Sequence, residues 1–192
     1  SFRTFSMKKI AAIFFVLFLS FTASGVYPTN VQAAVTFSLS PSSKSINVGD
    51  SVDVSVVLDS GGQTVSGGSA ILTYDPTKLQ VVDANSALTG VQVSTGTVFT
   101  TALTNSVDVV NGKITLDYGL SAGTFSGNGT FGKITLKGLV AATSTPVSFI
   151  IGSGSSSTSS AVYASGSNVL GAANSGSYTV LTSTASPTTT NA

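Results

Sequence analysis

The chain has 192 residues, eight Lys/Arg against seven acidic residues, a formal net charge of +1 and only 8% charged residues. It contains no His, Cys, Trp or Glu, which excludes disulfides, thiolate and imidazole metal sites and the usual nucleophile–base pairs. There is no basic stripe for a nucleic acid, and the length allows one domain with a real core plus appendages.

Residues 1–6 precede Met7 and are read as having no structural role. Met7-Lys8-Lys9 forms a positive start, residues 10–21 are almost wholly apolar, and a polar segment leads to Val31-Gln32-Ala33-Ala34. Small residues at 31 and 33 predict cleavage after Ala33, so residues 7–33 read as a signal peptide and the mature protein as exported. The apolar run is too short to span a bilayer comfortably, and no membrane span is expected. Loss of Arg3, Lys8 and Lys9 leaves the mature chain slightly acidic.

Residues 34–182 read as one β-sandwich domain. Residues 35–39 alternate apolar and polar and end before Pro41, and Asn47-Val48-Gly49-Asp50 is a turn. Val52, Val54, Val56 and Leu58 point one way and Ser51, Asp53, Ser55 and Asp59 the other, a strand with one wet face. A Gly-rich loop over 60–68 leads into a strand with Ala70, Leu72 and Tyr74 inward, stopped by Asp75-Pro76; Leu79, Val81 and Val82 restart the apolar run. A short strand is expected around 98–102. Residues 107–110 and 113–120 read as a hairpin, with Asn111-Gly112 supplying a type I′ turn and Ile114, Leu116 and Tyr118 inward. Asn128-Gly129 opens a strand with Ile134 and Leu136 inward; Phe131 is out of phase there, and Gly132 marks a bulge that corrects it. Val147, Phe149 and Ile151 form another inward set, residues 161–176 are ambiguous, and 178–181 close the last strand.

No stretch has a helical period. About nine strands on short connections predict an all-β, antiparallel sandwich of the jelly-roll or immunoglobulin-like sort. Residues 183–192 are Thr/Ser/Pro-rich and read as the start of an extended linker that continues beyond Ala192 to a surface attachment.

Chemistry is poorly supplied. A glycosidase would need two of the seven Asp residues as its carboxylate pair, yet Asp75 is explained by its turn and Asp53, Asp59 and Asp117 by wet strand faces. No catalysis is expected. No DxDxDG-type loop is present, so neither a metal site nor a cofactor is expected. Tyr74 and Tyr118 read as core, which leaves Tyr163 and Tyr178 as the tyrosines for stacking on a sugar. A binding module remains. Strand phase assigns Ser69, Ile71, Thr73, Thr115, Asp117, Lys133, Thr135 and Lys137 outward, and these are expected to form one partner-binding face. Ile71 would be its apolar centre and Asp117, Lys133 and Lys137 its polar rim.

Several motifs, in order, resemble the cohesin domains of bacterial cellulose-degrading assemblies: VGDSVDVSVVLD, ILTYDPTKLQVV, NGKITLDYG, GNGTFGKITLKG and SAVYASGSNVLGAANSGSYTV. The resemblance covers nearly all of the chain from Val35 to Leu181. It implies a nine-stranded jelly roll, non-catalytic and extracellular, whose exposed sheet face binds dockerin modules, the calcium being carried by the dockerin. The family's best-known members place Asn and Asp near the start of the central strand, where this chain has Gly67 and Ser69. That departure implies an altered or lost specificity for the usual cellulosomal dockerins. The fold implied is also close to that of some carbohydrate-binding modules, which keeps a polysaccharide as a second class of partner and an adhesive surface module as the alternative reading; a plain spacer domain is a third.

Overall fold

A computed structural model describes residues 32–152 and 158–183. The expected signal peptide up to Val31 and the linker from Thr184 onward lie outside the described residues. The alternation of Val with Thr and Ser becomes a succession of strands: β1 (Val35–Ser40), β2 (Ser43–Asn47), β3 (Ser51–Asp59), β4 (Gly67–Thr73), β5 (Leu79–Val81), β6 (Ser94–Thr95), β7 (Thr101–Asp108), β8 (Lys113–Gly119), β9 (Asn128–Gly138), β10 (Ala142–Phe149), β11 (Ala161–Ala164), β12 (Ser167–Asn168), β13 (Leu170–Asn174) and β14 (Gly176–Leu181). There is no helix among them. The fourteen segments exceed the nine strands expected, because short strands such as β2, β6, β12 and β13 add to them.

One sheet runs β13-β1-β3-β9-β5, with β6 also on β9; the other runs β12-β11-β4-β10-β14-β2, with β8 on β4 and β7 on β8. The two sheets face each other as the expected sandwich. Not every pairing is antiparallel: β1 lies parallel to β13 and β2 parallel to β14. The start and the end of the domain are tied together by these two parallel pairs.

Phase holds where the sequence alternates most cleanly. Val54, Val56 and Leu58 of β3, Ile114, Leu116 and Tyr118 of β8, and Ile134 and Leu136 of β9 are all buried in the shared core. Leu72, Tyr74, Val147 and Phe149 join them. Val52 is half-buried, since it lies near the end of β3. Ile151 is 58% exposed, because β10 ends at Phe149 and the chain leaves the sheet there.

The β3–β9 ladder contains the bulge expected at Gly132. Val56 pairs with Gly132 and Val57 with Thr130, so Phe131 is the extra residue and both Phe131 and Gly132 are buried. The Phe131 ring then lies 5.0 Å from Phe37, 5.7 Å from Phe99 and 5.0 Å from Tyr118. Gly132 fits closely beside it: a Cβ there would stand 3.1 Å from Leu116 Cδ1, which would have to shift by a few tenths of an ångström.

Two local expectations are corrected. The strand expected over 98–102 begins at Thr101, while Val98 and Phe99 are buried before it without strand pairing. The β7–β8 connection is a four-residue turn over 109–112 rather than a two-residue type I′ turn. Gly112 has φ +64°, while Asn111 does not have a positive φ. Asn111 is used differently: its Nδ2 donates to Asp108 Oδ2 at 2.7 Å, and Asp108 Oδ1 accepts the N–H groups of Val110 and Asn111.

Phe131→Ala should lower unfolding free energy by about 3–5 kcal/mol, since it empties the centre of the aromatic cluster. Urea denaturation of the variant tests this; a loss below about 1 kcal/mol would mean that the bulge does not place the ring in the core.

Candidate functional site

The central strand β4, Gly67-Gly68-Ser69-Ala70-Ile71-Leu72-Thr73, is buried on both sides over most of its length. Ala70 and Leu72 belong to the sandwich core, as phase requires. Ile71 points away from that core and is nevertheless 0% exposed, and Ser69 is 1% exposed. At the strand's second edge, β10 pairs with Leu72 and Thr73, and β11 pairs with Gly67, Gly68 and Ser69. Between these pairings Ser160 Oγ accepts the Ile71 N–H at 3.0 Å and donates to the Ile71 carbonyl at 3.2 Å. Ile150 N–H donates to the same carbonyl at 2.8 Å, and Ser159 and Ser160 are themselves buried. The expected exposure of Ile71 is wrong, although its strand phase is right: its side chain is buried on the outward side of β4.

The eight expected face residues do not share one surface. Ser69, Ile71, Thr73, Thr115 and Asp117 lie on β4 and β8, whereas Lys133, Thr135 and Lys137 lie on β9 of the opposite sheet. Their outward sides look in opposite directions across the sandwich. On β9, Lys133 Nζ is 3.1 Å from Asp53 Oδ2, and Thr135 Oγ1 donates to Asp53 Oδ1 at 2.6 Å. The Thr135 hydrogen bond first, and then that from Lys133, holds the Asp53 carboxyl below its ordinary value. Thr73 is exposed, and Thr115 and Asp117 are half-buried. Of the two tyrosines considered for sugar stacking, Tyr178 is fully buried, with its hydroxyl given to Pro41 O at 2.8 Å. Burial raises its phenol to about 12. Tyr163 is half-buried.

What the outer face of β4 and β8 does present is a depression of about 370 Å³ whose lining includes Ser69, Leu103, Asp117, Tyr118 and Tyr163. Ser69 and Asp117 are direct cross-strand partners, which places the carboxylate beside the central strand. Asp117 Oδ1 is buried and has no hydrogen-bond partner among the described residues. Leu103 is 75% exposed. Sequence phase missed it, because its direction comes from a second bulge: Ala102 pairs with Tyr118 and Thr104 with Asp117, so Leu103 is the extra residue on β7. No pattern in Thr-Ala-Leu-Thr-Asn marks that bulge; only the register against β8 shows it. An exposed apolar residue beside a buried acceptor can hold a protein surface.

A family model described as the cohesin domain matches residues 35–186. Among solved structures, a non-cellulosomal cohesin from the hyperthermophilic archaeon Archaeoglobus fulgidus superposes with TM-score 0.57 at 19% identity, over 78% of this chain and 92% of that one. A type II cohesin from the cellulosome of Acetivibrio cellulolyticus gives 0.59 at 15% identity, over 76% and 94%. A type I cohesin–dockerin complex from Clostridium thermocellum gives 0.58 at 12% identity, over 78% and 100%. These likenesses are likenesses of fold. No curated protein matches the sequence significantly.

Ile71→Ala should cost about 2–5 kcal/mol of stability despite its outward phase, read from thermal or urea unfolding. A variant as stable as the parent would show that the Ile71 side chain is not buried. Acid stability follows from three carboxyls. Asp53 is lowered by Thr135 and Lys133, Asp75 by the Thr77 hydroxyl and N–H, and Asp108 by the Asn111 side chain and N–H. Because the folded values are depressed, their contribution is complete above the ordinary carboxylate pKa of about 3.9 and is lost as pH falls through the folded values. Urea midpoints should therefore be flat from neutrality to about pH 5 and fall below about pH 4. Asp53→Asn should reduce that fall, and an unchanged acid limb would show that Asp53 contributes nothing to it.

Proposed function

We propose, on the premise that the chain belongs to the cohesin domain family, that it captures a dockerin-type partner on the outer face of β7, β8, β4 and β11. The observation that carries this reading is the pairing of Leu103, thrust outward by its bulge, with the buried and unpaired Asp117 Oδ1 in one shallow depression. Leu103 is an exposed apolar anchor, and Asp117 offers an acceptor whose full strength appears only when a partner supplies a donor and excludes water. The opposite face is a weaker candidate, since Lys133 and Thr135 are already engaged with Asp53.

The module works without catalysis, in keeping with a sequence that has no His, Cys or Glu. It acts outside the cell, the reading that the N-terminal segment over 7–33 supports, and it serves an assembly for polysaccharide breakdown. Calcium is carried by the partner. With Gly67 and Ser69 on β4, the polar recognition passes to Asp117 on the neighbouring strand, so the set of dockerins accepted differs from the usual cellulosomal one.

A panel of dockerin-type modules tested by calorimetry against the full chain examines this directly. Leu103→Asp should weaken capture at least about thirtyfold, the equivalent of losing a 2 kcal/mol anchor, with stability changed by no more than about 0.5 kcal/mol. Asp117→Ala should weaken capture as well. Failure of every dockerin to bind, or capture that survives both changes and is lost with Lys133→Ala and Lys137→Ala, would overturn the assignment.

A further inference from the structure

β7 lies at the margin of its sheet, and its free edge is accompanied over only part of its length. Val91 and Val107 form an antiparallel bridge, with Val107 N–H donating to Val91 O at 3.0 Å. Two residues along, the Asn105 side chain stands in for a strand neighbour: Oδ1 accepts Val93 N–H at 3.0 Å and Nδ2 donates to Val93 O at 2.7 Å. The neighbouring chain then departs, because Ser94 and Thr95 form β6 and pair with β9 of the other sheet. Thr101, Ala102 and Leu103 are left exposed, with no backbone neighbour on that edge among the described residues.

The divergence opens a cleft of about 700 Å³ whose lining includes Leu88, Gln92, Val93, Ala102, Leu103 and Asn105. Gln92 is only 7% exposed. Its Nε2 donates to Thr89 O at 2.9 Å, which sets the orientation of the amide, and its Oε1 is buried with no partner among the described residues. Leu88, by contrast, is 58% exposed. Among the described residues, no charged side chain and no aromatic ring lines the cleft. A charged ligand would lose hydration there without a counter-charge, and a sugar ring would find no stacking surface. A free strand edge, two exposed leucines and one buried acceptor match the backbone N–H groups and alternating side chains of an extended peptide.

We propose that this cleft is a docking site for a short, uncharged, extended peptide segment of a partner protein. The segment adds to the edge of β7 at Thr101–Leu103, gives a backbone N–H to Gln92 Oε1 and seats an apolar side chain against Leu88 and Leu103. The bulge at Leu103 keeps the added strand short, because it breaks the regular spacing of the edge. The site adjoins the dockerin-type face across Leu103 but does not depend on it, since Leu88 and Gln92 belong to the cleft alone.

The test uses the full chain and immobilised uncharged peptides of about six residues, enough for one short strand, that alternate apolar with Ser/Thr positions. Charged peptides and neutral oligosaccharides serve as controls. A subset of the neutral peptides should bind, and Leu88→Asp and Gln92→Met should each weaken that binding at least about tenfold, the Leu88 change without altering thermal unfolding. Amide exchange at Thr101–Leu103 should slow in the bound state. Asp117→Ala should leave peptide binding intact, so a failure of dockerin capture is distinguishable from a failure here. No neutral peptide bound, binding that survives both cleft variants, or oligosaccharides bound in place of peptides would each overturn the proposal.

Discussion

Phe131 reaches the centre of the core because β9 carries one residue more than β3 opposite it. Without that extra residue the ring would follow strict alternation to the outer face of its sheet, and the residues beyond it would lose their register with β3. With it, Phe131 joins Phe37 and Phe99 and comes against Tyr118 of the facing sheet, while Phe149 of that sheet stacks on Phe37 at 5.7 Å. The rings therefore hold the two sheets together beside Gly132, which leaves room for Leu116 and Tyr118 of the facing sheet. Aromatic pairs of this geometry contribute about 0.5–1.5 kcal/mol each beyond the area they bury.

The same device serves the opposite purpose on β7. There the extra residue is Leu103, and the shift in register sends an apolar side chain into solvent, at 75% exposure, between two depressions. One bulge completes the core and the other builds the surface. A bulge suits both tasks because the extra residue re-aims a side chain while pairing resumes on either side of it.

In the sheet that carries β7, the central strand is β4, with β8 on one edge and β10 and β11 on the other. At that second edge Ser160 supplies with one hydroxyl the two hydrogen bonds that a missing strand neighbour would have made to Ile71. Ile71 is buried, and Leu103 on β7 is an exposed apolar side chain of this sheet's outer region. Asp117 and Gln92, each with a buried acceptor left unpaired, stand on either side of the Leu103 ridge. Unpaired buried acceptors are uncommon in folded proteins, and their position on open depressions suits a chain whose work is to bind.

The sequence by itself determined the sandwich, the turns and the phase of the regular strands. Val54-Val56-Leu58, Ile114-Leu116-Tyr118 and Ile134-Leu136 alternate with period two, and a side chain's side of its own sheet follows from that period alone. Even the Phe131 bulge was legible, because an inserted residue leaves its mark as an apolar side chain one step out of phase beside a glycine. The tertiary structure alone decided which outward sides share a surface. Alternation relates a residue to its own sheet and not to the other one, so Thr115 and Thr135 look equivalent in sequence while they face opposite directions in space. Nor does alternation show whether an outward side chain is buried, as at Ile71, or where the register slips with no glycine beside the extra residue, as at Leu103. Those properties depend on pairings between residues far apart in the chain, which local pattern does not encode.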